Sequence, residues 1–165
     1  MSKLLILGSI AFDQIETPFG KSNSIMGGSA NYIALAAAQF EIPAAVVSIV
    51  GDDYPQEYLN LLSERRIDVS GIEIVQGGKT LFWSGKYHND MNQRDTLDTQ
   101  LNVINDFKPV VPEAFRDAEV LLLGNLHPSL QMDVLNQMTQ RPKLVVMDTM
   151  NYWMNHTWDL LMEVI

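Results

Sequence analysis

The sequence GGSANYIALAAAQF, residues 27–40, places two adjacent glycines directly before an alanine-rich stretch. Residues 31–40 are apolar nearly all round, which is typical of a helix packed tightly between other elements. Gly27 and Gly28 allow the backbone to approach a ligand closely, while the first N–H groups of the helix point towards it. The Asn31 amide can both donate and accept hydrogen bonds. A turn followed by a capping residue explains the same pattern without a ligand, so both interpretations stay open from this segment alone.

Strands and helices alternate on both sides of this segment. Short apolar runs bounded by turn residues predict buried strands at residues 3–7, 44–50, 120–123 and 144–147. Helical patterns predict further helices at residues 56–65, 130–139 and 156–165. This alternation predicts an α/β fold with a doubly wound, mostly parallel sheet, helices on both faces and right-handed crossovers.

A smaller β-rich piece interrupts the alternation. Residues 72–75 and 80–87 are rich in strand formers, and the turn pair Gly77-Gly78 between them predicts a hairpin. Residues 88–100 are polar and aperiodic, and we expect a loop with a short strand at its end. The sequence therefore predicts a small antiparallel insertion.

Composition excludes several classes of function. The chain has 165 residues, of which 47% are hydrophobic and 19% charged, which fits one globular domain. Its net charge of −9 argues against nucleic acid and anionic membrane surfaces as partners. It has no cysteine, which excludes disulfides and zinc-thiolate sites and fits the cytoplasm. The sequence contains no run of eighteen uncharged apolar residues, so it predicts no membrane span.

Asp13 is the first candidate site residue. Ligands of doubly wound sheets bind outside the carboxyl ends of the strands, and Asp13 follows the first predicted strand by a few residues. A carboxylate there can accept two hydrogen bonds from neighbouring hydroxyls, as on a sugar. A solvated loop aspartate or a turn former explains the residue without a ligand, and the pattern alone favours that interpretation.

Other titratable residues give weaker signals. Histidine can act as a base in enzymes, but none of His88, His127 and His156 has a carboxylate at a spacing that predicts this role. Asp52 and Asp53 lie at the start of a predicted helix, where acidic side chains interact favourably with the positive end of the helix dipole. We therefore expect no metal there.

Several motifs in one order resemble a known family. Gly8-Ser9-Ile10 is followed by Asp13, then by GGSANYIALAAAQF, and then by VGDDYPQEYLNLLSERRIDVSGIEIV with Thr80 after Gly78. This series resembles the phosphofructokinase-B or ribokinase-like family of carbohydrate and nucleoside kinases. The match continues more weakly through VLLLGNLHPS and VVMDTMNYW to the end of the chain.

The resemblance implies a doubly wound α/β core with a small β lid, formed here by residues 14–26 and 72–100 of a single unit, residues 1–165. It also implies transfer of the γ-phosphoryl group of ATP, with Mg²⁺, to a hydroxymethyl group of a sugar or related alcohol. The residues placed at the substrate by this resemblance are Asp13, Gly27, Gly28, Asn31 and Asn125. A homodimer through the lid is the assembly that it suggests.

The resemblance also marks departures. The family's Asp-Thr-x-Gly-Ala-Gly-Asp run, whose last aspartate is the base, does not occur in the 165 residues. We therefore expect the chain to be the N-terminal part of a kinase domain, incomplete at its C-terminus and inactive alone. Where members have an Asp-Pro-Asn-like run, this chain reads Asp148-Thr-Met-Asn151, which leaves the roles of those residues open.

Two alternatives belong to other classes. A truncated, non-catalytic module could bind a polyol, a nucleoside or a partner chain with the same pocket. A dinucleotide-dependent oxidoreductase would share the strand-glycine-helix opening, but the first strand lacks the G-x-G-x-x-G turn.

Overall fold

The computed structural model describes residues 3–165. Its strands are β1 Leu4–Leu7, β2 Ala11–Thr17, β3 Gly20–Lys21, β4 Ile25–Gly27, β5 Ala44–Gly51, β6 Ile67–Val75, β7 Leu81–Tyr87, β8 Arg94–Gln100, β9 Val120–Leu123 and β10 Leu144–Met147. Its α-helices are α1 Ser29–Ala38, α2 Gln56–Glu64, α3 Pro128–Asn136, α4 Asn151–His156 and α5 Trp158–Val164. Two short 3-10 helices, Asn102–Asp106 and Glu113–Phe115, lie between β8 and β9.

Five parallel strands form the central sheet, in the order β10-β9-β1-β5-β6. Leu4 of β1 lies between Ala44 of β5 and Val120 of β9. Every residue of β1 and β5 is buried, as expected for the middle of a parallel sheet covered on both faces. The predicted doubly wound α/β fold is confirmed.

The central sheet separates two hydrophobic cores because side chains alternate along a strand. Leu4 and Ile6 pack with α1 and α2 on one face of the sheet. Leu5 and Leu7 pack on the other face with α3 and the segment containing both 3-10 helices. Each core holds more than ten buried hydrophobic side chains, so helices and short turns cover both faces of β1 and β5, whereas the edge strand β10 is mostly exposed.

A second sheet stands beside the first, with strand order β3-β2-β7-β8 and with β4 paired to β2. The contact of β2 with β7 is parallel, and the other pairings are antiparallel. This sheet is the predicted small β insertion. It is built from two separate parts of the chain, one before α1 and one after β6.

The predicted hairpin of residues 72–75 with residues 80–87 is wrong. Residues 72–75 are the end of β6, which pairs in parallel with β5, so that Ile72 lies opposite Ser48. The turn at Gly77-Gly78 leads from the central sheet to the second sheet instead of reversing one strand onto another. Of the predicted lid range 72–100, residues 72–75 therefore lie in the central sheet.

The other boundaries differ in smaller ways. The strand expected at the end of residues 88–100 is β8. The predicted last helix, residues 156–165, is the shorter α5, because Thr157 leaves the helical conformation; the preceding helix α4 was not predicted. Within residues 3–165, no helix is both long enough and apolar enough to cross a membrane.

Candidate functional site

Asp13 lies within β2, at the base of the second sheet, and not in a loop after β1. Its backbone is in register with Ile25 of β4 on one side and Trp83 of β7 on the other. Its carboxylate packs against Gly27, the last residue of β4, and occupies the space that a Cβ atom there would fill. The side chain is half-buried, and this burial raises the pKa of the Asp13 carboxyl group. A partly desolvated carboxylate of this kind is a strong acceptor for ligand hydroxyls.

Gly27 and Gly28 bring the backbone close to two neighbours. Gly28 has φ +90°, a conformation that L side chains rarely adopt, and a Cβ atom on it would collide with the carbonyl oxygen of Ser9. Gly27 leaves room for the carboxylate of Asp13. The sequence predicted that a ligand approaches these glycines closely; in the structure, the groups that approach them are the chain's own.

The N-terminus of α1 is used internally, which differs from the sequence expectation. Ser29 N–H donates to Ser9 Oγ at 3.2 Å, and Ala30 N–H donates to the Ser9 carbonyl at 2.9 Å. Ser9 N–H in turn donates to Ser29 Oγ at 3.2 Å. These bonds occupy the N–H groups of Ser29 and Ala30, so the first two amides of the helix do not point at an open ligand site.

Asn31 was expected to contact a ligand hydroxyl, and the structure places it elsewhere. Its side chain is completely buried on the core face of α1, together with Ala30, Ala34 and Ala37. Asn31 Nδ2 donates to the Gly27 carbonyl at 2.6 Å and to the Tyr54 hydroxyl at 3.0 Å. The amide thus holds the glycine backbone from behind, because helical periodicity turns position 31 inward.

Tyr54 is a residue that the sequence analysis missed. It is buried behind the Asp13–Gly27 contact, where its ring packs against Phe12 at 5.4 Å between centroids. Burial raises the pKa of its hydroxyl to about 12, so it stays a neutral hydrogen-bonding group. No sequence signal places Tyr54 beside Asn31, since 23 residues separate them.

Asn125 follows β9 at the carboxyl edge of the central sheet, as expected. Its Oδ1 atom accepts a hydrogen bond from Trp153 Nε1 at 2.9 Å. Its neighbour Gly124 packs against β1, since a Cβ atom there would lie 2.7 Å from the Leu7 carbonyl oxygen and 2.8 Å from Ser29 Oγ. The loop after β9 therefore lies beside the start of α1, but the Asn125 oxygen is already bonded to the indole.

Asp52 and Asp53 connect the two sheets. Asp53 Oδ1 accepts from Thr80 N at 2.8 Å and from Thr80 Oγ1 at 2.7 Å, while Asp52 Oδ2 accepts from Gly77 N at 2.8 Å. Thr80 Oγ1 also accepts from Gly51 N at 3.0 Å. These bonds fix the crossing from β6 to β7, a role that replaces the predicted one at the helix dipole.

The three histidines, Asp148 and Asn151 lie away from Asp13 and Gly27. His88 Nε2 lies 3.1 Å from Asp95 Oδ2 at the exposed outer end of the second sheet, so this histidine does have a carboxylate partner that the sequence did not reveal. His127 Nδ1 accepts from Ser129 N at the start of α3, and His156 Nδ1 bonds the Tyr152 carbonyl.

The structure does not assign a role to Asp148 or Asn151. Asp148 is exposed, and Asn151 is the first residue of α4. In residues 3–165, no group of three or more acidic or histidine side chains could hold a metal ion.

Comparison with known proteins agrees with this architecture. The chain is 29% identical over 139 residues to a cytidine kinase of Thermococcus kodakarensis, and the match covers 84% of this chain and 49% of the relative. The crystal structure of the Methanocaldococcus jannaschii nucleoside kinase, an archaeal member of the ribokinase family, superimposes with a TM-score of 0.76 at 17% identity, covering 99% of this chain and 57% of that one. The Burkholderia thailandensis nucleoside kinase in complex with inosine gives a TM-score of 0.75 at 16% identity, covering 98% and 56%.

The chain thus spans about half the length of these relatives. The sequence profile of the pfkB family carbohydrate kinases matches residues 1–165, which is the whole of the given sequence. Together with the five-stranded parallel sheet and the added β sheet, this match shows that the chain belongs to the pfkB family of carbohydrate kinases.

Proposed function

We propose that the full-length protein transfers the γ-phosphoryl group of ATP to a hydroxymethyl group of a sugar or nucleoside. The observation that carries this proposal is the half-buried carboxylate of Asp13, held against the bare backbone of Gly27 at the junction of the two sheets. Membership of the pfkB family and similarity to a cytidine kinase support the reaction class.

In this proposal, Asp13 accepts hydrogen bonds from two substrate hydroxyls, while Gly27 and Gly28 form the wall beside it. Asn31 acts as a positioning residue, because its amide bonds the Gly27 carbonyl and is itself completely buried. Asn125 borders the same region at the carboxyl edge of the central sheet. It would contact the substrate only by exchanging its bond to Trp153.

The second sheet is proposed to act as a lid over the bound substrate. It rises from the strand that carries Asp13, so closure would exclude water from the reacting hydroxyl and prevent hydrolysis of ATP. Strand β8 is a fully exposed edge strand, which makes it the surface for a proposed homodimer.

ATP and Mg²⁺ are proposed to bind outside the described residues. The side chains of residues 3–165 do not fit a metal site among themselves. The catalytic base, which the family places in an Asp-Thr-x-Gly-Ala-Gly-Asp run, also lies outside this sequence in our proposal. The chain itself would bind and orient the acceptor and shield it from water. The proposed compartment is the cytoplasm, in keeping with the absence of cysteine.

The experiment is a phosphorylation assay of the full-length protein with ATP and Mg²⁺ against a panel of free sugars and nucleosides, beside the 165-residue chain alone. We expect turnover of at least one acceptor by the full-length protein and none by the chain. Tight binding of an acceptor without turnover by the full-length protein would favour the non-catalytic binding module. Turnover by the purified chain would contradict the placement of the base.

A further inference from the structure

Gln131 is a polar residue on the core-facing side of α3. The buried residues of this helix are Pro128, Gln131 and Val134, which follow one another at the spacing of a single helix face. The side chain of Gln131 is completely buried. Positions on such a face are expected to be apolar, and departures from this pattern are expected where function requires them. Packing alone does not explain a glutamine at this position.

The amide of Gln131 joins the carboxyl ends of two neighbouring strands. Its Nε2 atom donates to the Gly124 carbonyl after β9 at 2.9 Å and to the Asp148 carbonyl after β10 at 3.1 Å. A side-chain NH2 group has two hydrogens, so these bonds use both of them. The Oε1 atom is buried and accepts no hydrogen bond from residues 3–165, which lowers stability. An apolar side chain would avoid this cost but would not hold the two loops together.

The loop after β9 is fixed on both sides of Gly124. The Gly124 N–H donates to the Leu7 carbonyl at 2.7 Å, and the Gly124 carbonyl accepts the bond from Gln131. This carbonyl belongs to the planar peptide group that joins Gly124 to Asn125. Gln131 therefore fixes the direction in which the backbone enters Asn125.

The loop after β10 connects Gln131 to the side chain of Asn125. The Asp148 N–H donates to the Leu123 carbonyl at 2.8 Å and the Asp148 carbonyl accepts from Gln131, so the chain leaves β10 in a fixed direction. This chain leads into α4, where Trp153 Nε1 donates to Asn125 Oδ1. Gln131 thus acts on the backbone of Asn125 through one loop and on the partner of its side chain through the other.

We infer that Gln131 is a positioning residue for the acceptor substrate and acts through Asn125. With the backbone held by Gln131, Asn125 can exchange its bond to Trp153 for one to the substrate without movement of the loop. A loop that is ordered before binding loses less conformational freedom on binding, so Gln131 lowers the KM of the acceptor substrate. The KM of ATP is not affected, because we place the ATP site outside the described residues. This inference rests on the proposed function, since it concerns the same site.

The test measures the kinetics of the full-length protein with the acceptor that it phosphorylates fastest in the panel above. The variants are Gln131→Met and, as a matched control on the same helix, Gln137→Met. Gln137 lies at the other end of α3, and its amide likewise bonds backbone groups, those of Pro109, Val111 and Asp133. We expect Gln131→Met to raise the KM of the acceptor substrate about tenfold and to leave the KM of ATP unchanged. Gln137→Met should lower the melting temperature without changing either KM.

A second comparison tests whether Gln131 acts through Asn125. In an Asn125→Ala background, Gln131→Met should raise the KM of the acceptor substrate no further, because the side chain that Gln131 positions is gone. Should Gln131→Met fail to fold, Gln131→Asn takes its place in both comparisons. That variant keeps a polar amide, but it is one methylene shorter and too short to bond both loops.

Three results would overturn the positioning role while leaving the kinase proposal standing. These are an equal rise in the KM of the acceptor substrate for the Gln131 and Gln137 variants, no rise for the Gln131 variant, and additive effects of the Gln131 and Asn125 substitutions. Lack of turnover by the unmodified full-length protein would overturn the proposed function itself.

Discussion

The carboxylate of Asp13 fills the space that a side chain on Gly27 would need. The two residues belong to adjacent antiparallel strands, β2 and β4, and Gly27 is also the last residue before the N-cap of α1. A single contact thus joins the second sheet, the glycine turn and the helix. Substitutions at each partner should have distinct consequences.

Gly27→Ala should reduce ligand affinity more than stability. The added methyl collides with the end of a side chain, so Asp13 is displaced while the backbone remains, at a cost of about 1–3 kcal/mol in the free energy of unfolding. We expect the thermal shift produced by a bound acceptor to disappear. Calorimetric titration and thermal melts of the full-length protein would measure both effects.

Gly28→Ala is the contrasting variant. Here the methyl meets the backbone of Ser9, and φ of +90° adds strain, so the loss of stability should exceed that of Gly27→Ala. If both variants melted at the same temperature and bound the acceptor equally well, the two glycines would not have the separate roles described.

The free energy of unfolding of Asp13→Asn, measured relative to that of the parent protein, should increase as the pH rises. Burial raises the pKa of Asp13 in the folded state, so the folded protein binds more protons than the unfolded chain between the ordinary value of 3.8 and the raised value. The parent protein therefore loses stability as pH rises through this window, and the neutral asparagine does not. Urea unfolding of both proteins from pH 3.5 to pH 7 would show the difference growing with pH. A difference that stayed constant with pH would contradict a half-buried Asp13 carboxyl group with a raised pKa.

Asn31 and Tyr54 should be energetically coupled. Asn31→Leu leaves the Gly27 carbonyl without its donor, which costs about 1–3 kcal/mol, whereas Tyr54→Phe removes one bond and costs about 1 kcal/mol. The double variant should lose less than the sum of the two, because the shared bond is lost only once. Urea unfolding of the four proteins gives this coupling directly. Strict additivity would show that the bond contributes nothing.

Asp53→Ala should loosen the attachment of the second sheet. It removes both bonds to Thr80, the residue directly before β7, at about 1–3 kcal/mol. We expect faster hydrogen exchange of the backbone amides in β7, with exchange in β1 unchanged. Asp68→Ala serves as a control, because the Asp68 carboxylate bonds only the nearby Ser70 amide. Equal exchange in β7 in both variants would show that Asp53 does not fix the connection.

The central sheet could be predicted where apolar residues follow one another without interruption. Residues 120–123 and 144–147 were predicted with the bounds of β9 and β10, because uninterrupted apolar runs are typical of strands in parallel sheets. Their predicted burial is found only in part, since β9 is half-buried and three of the four residues of β10 are exposed. Strand β6 was misassigned because its first half, IDVSG, is polar and it lies at an edge of the sheet, while the Gly77-Gly78 pair imitates a hairpin turn.

The site could be predicted only in part. Helical spacing from Ala30, Ala34 and Ala37 places Asn31 on the same inward stripe, so its burial was readable from the sequence. The neighbours of Asp13 were not, because the register that brings Trp83 beside it joins segments 70 residues apart. Long-range strand register depends on tertiary packing that local patterns do not encode.

The most direct measurement of the central claim is the Kd of the full-length protein for its preferred acceptor, compared between Asp13→Asn and Asp133→Asn. Both substitutions replace one carboxylate by an amide of the same shape, but Asp133 is exposed on α3. We predict a loss of affinity of at least about tenfold for Asp13→Asn, since a charged acceptor for two hydroxyls is removed, and no change for Asp133→Asn. Equal affinity of the two variants would contradict the role of Asp13 as the residue that holds the substrate.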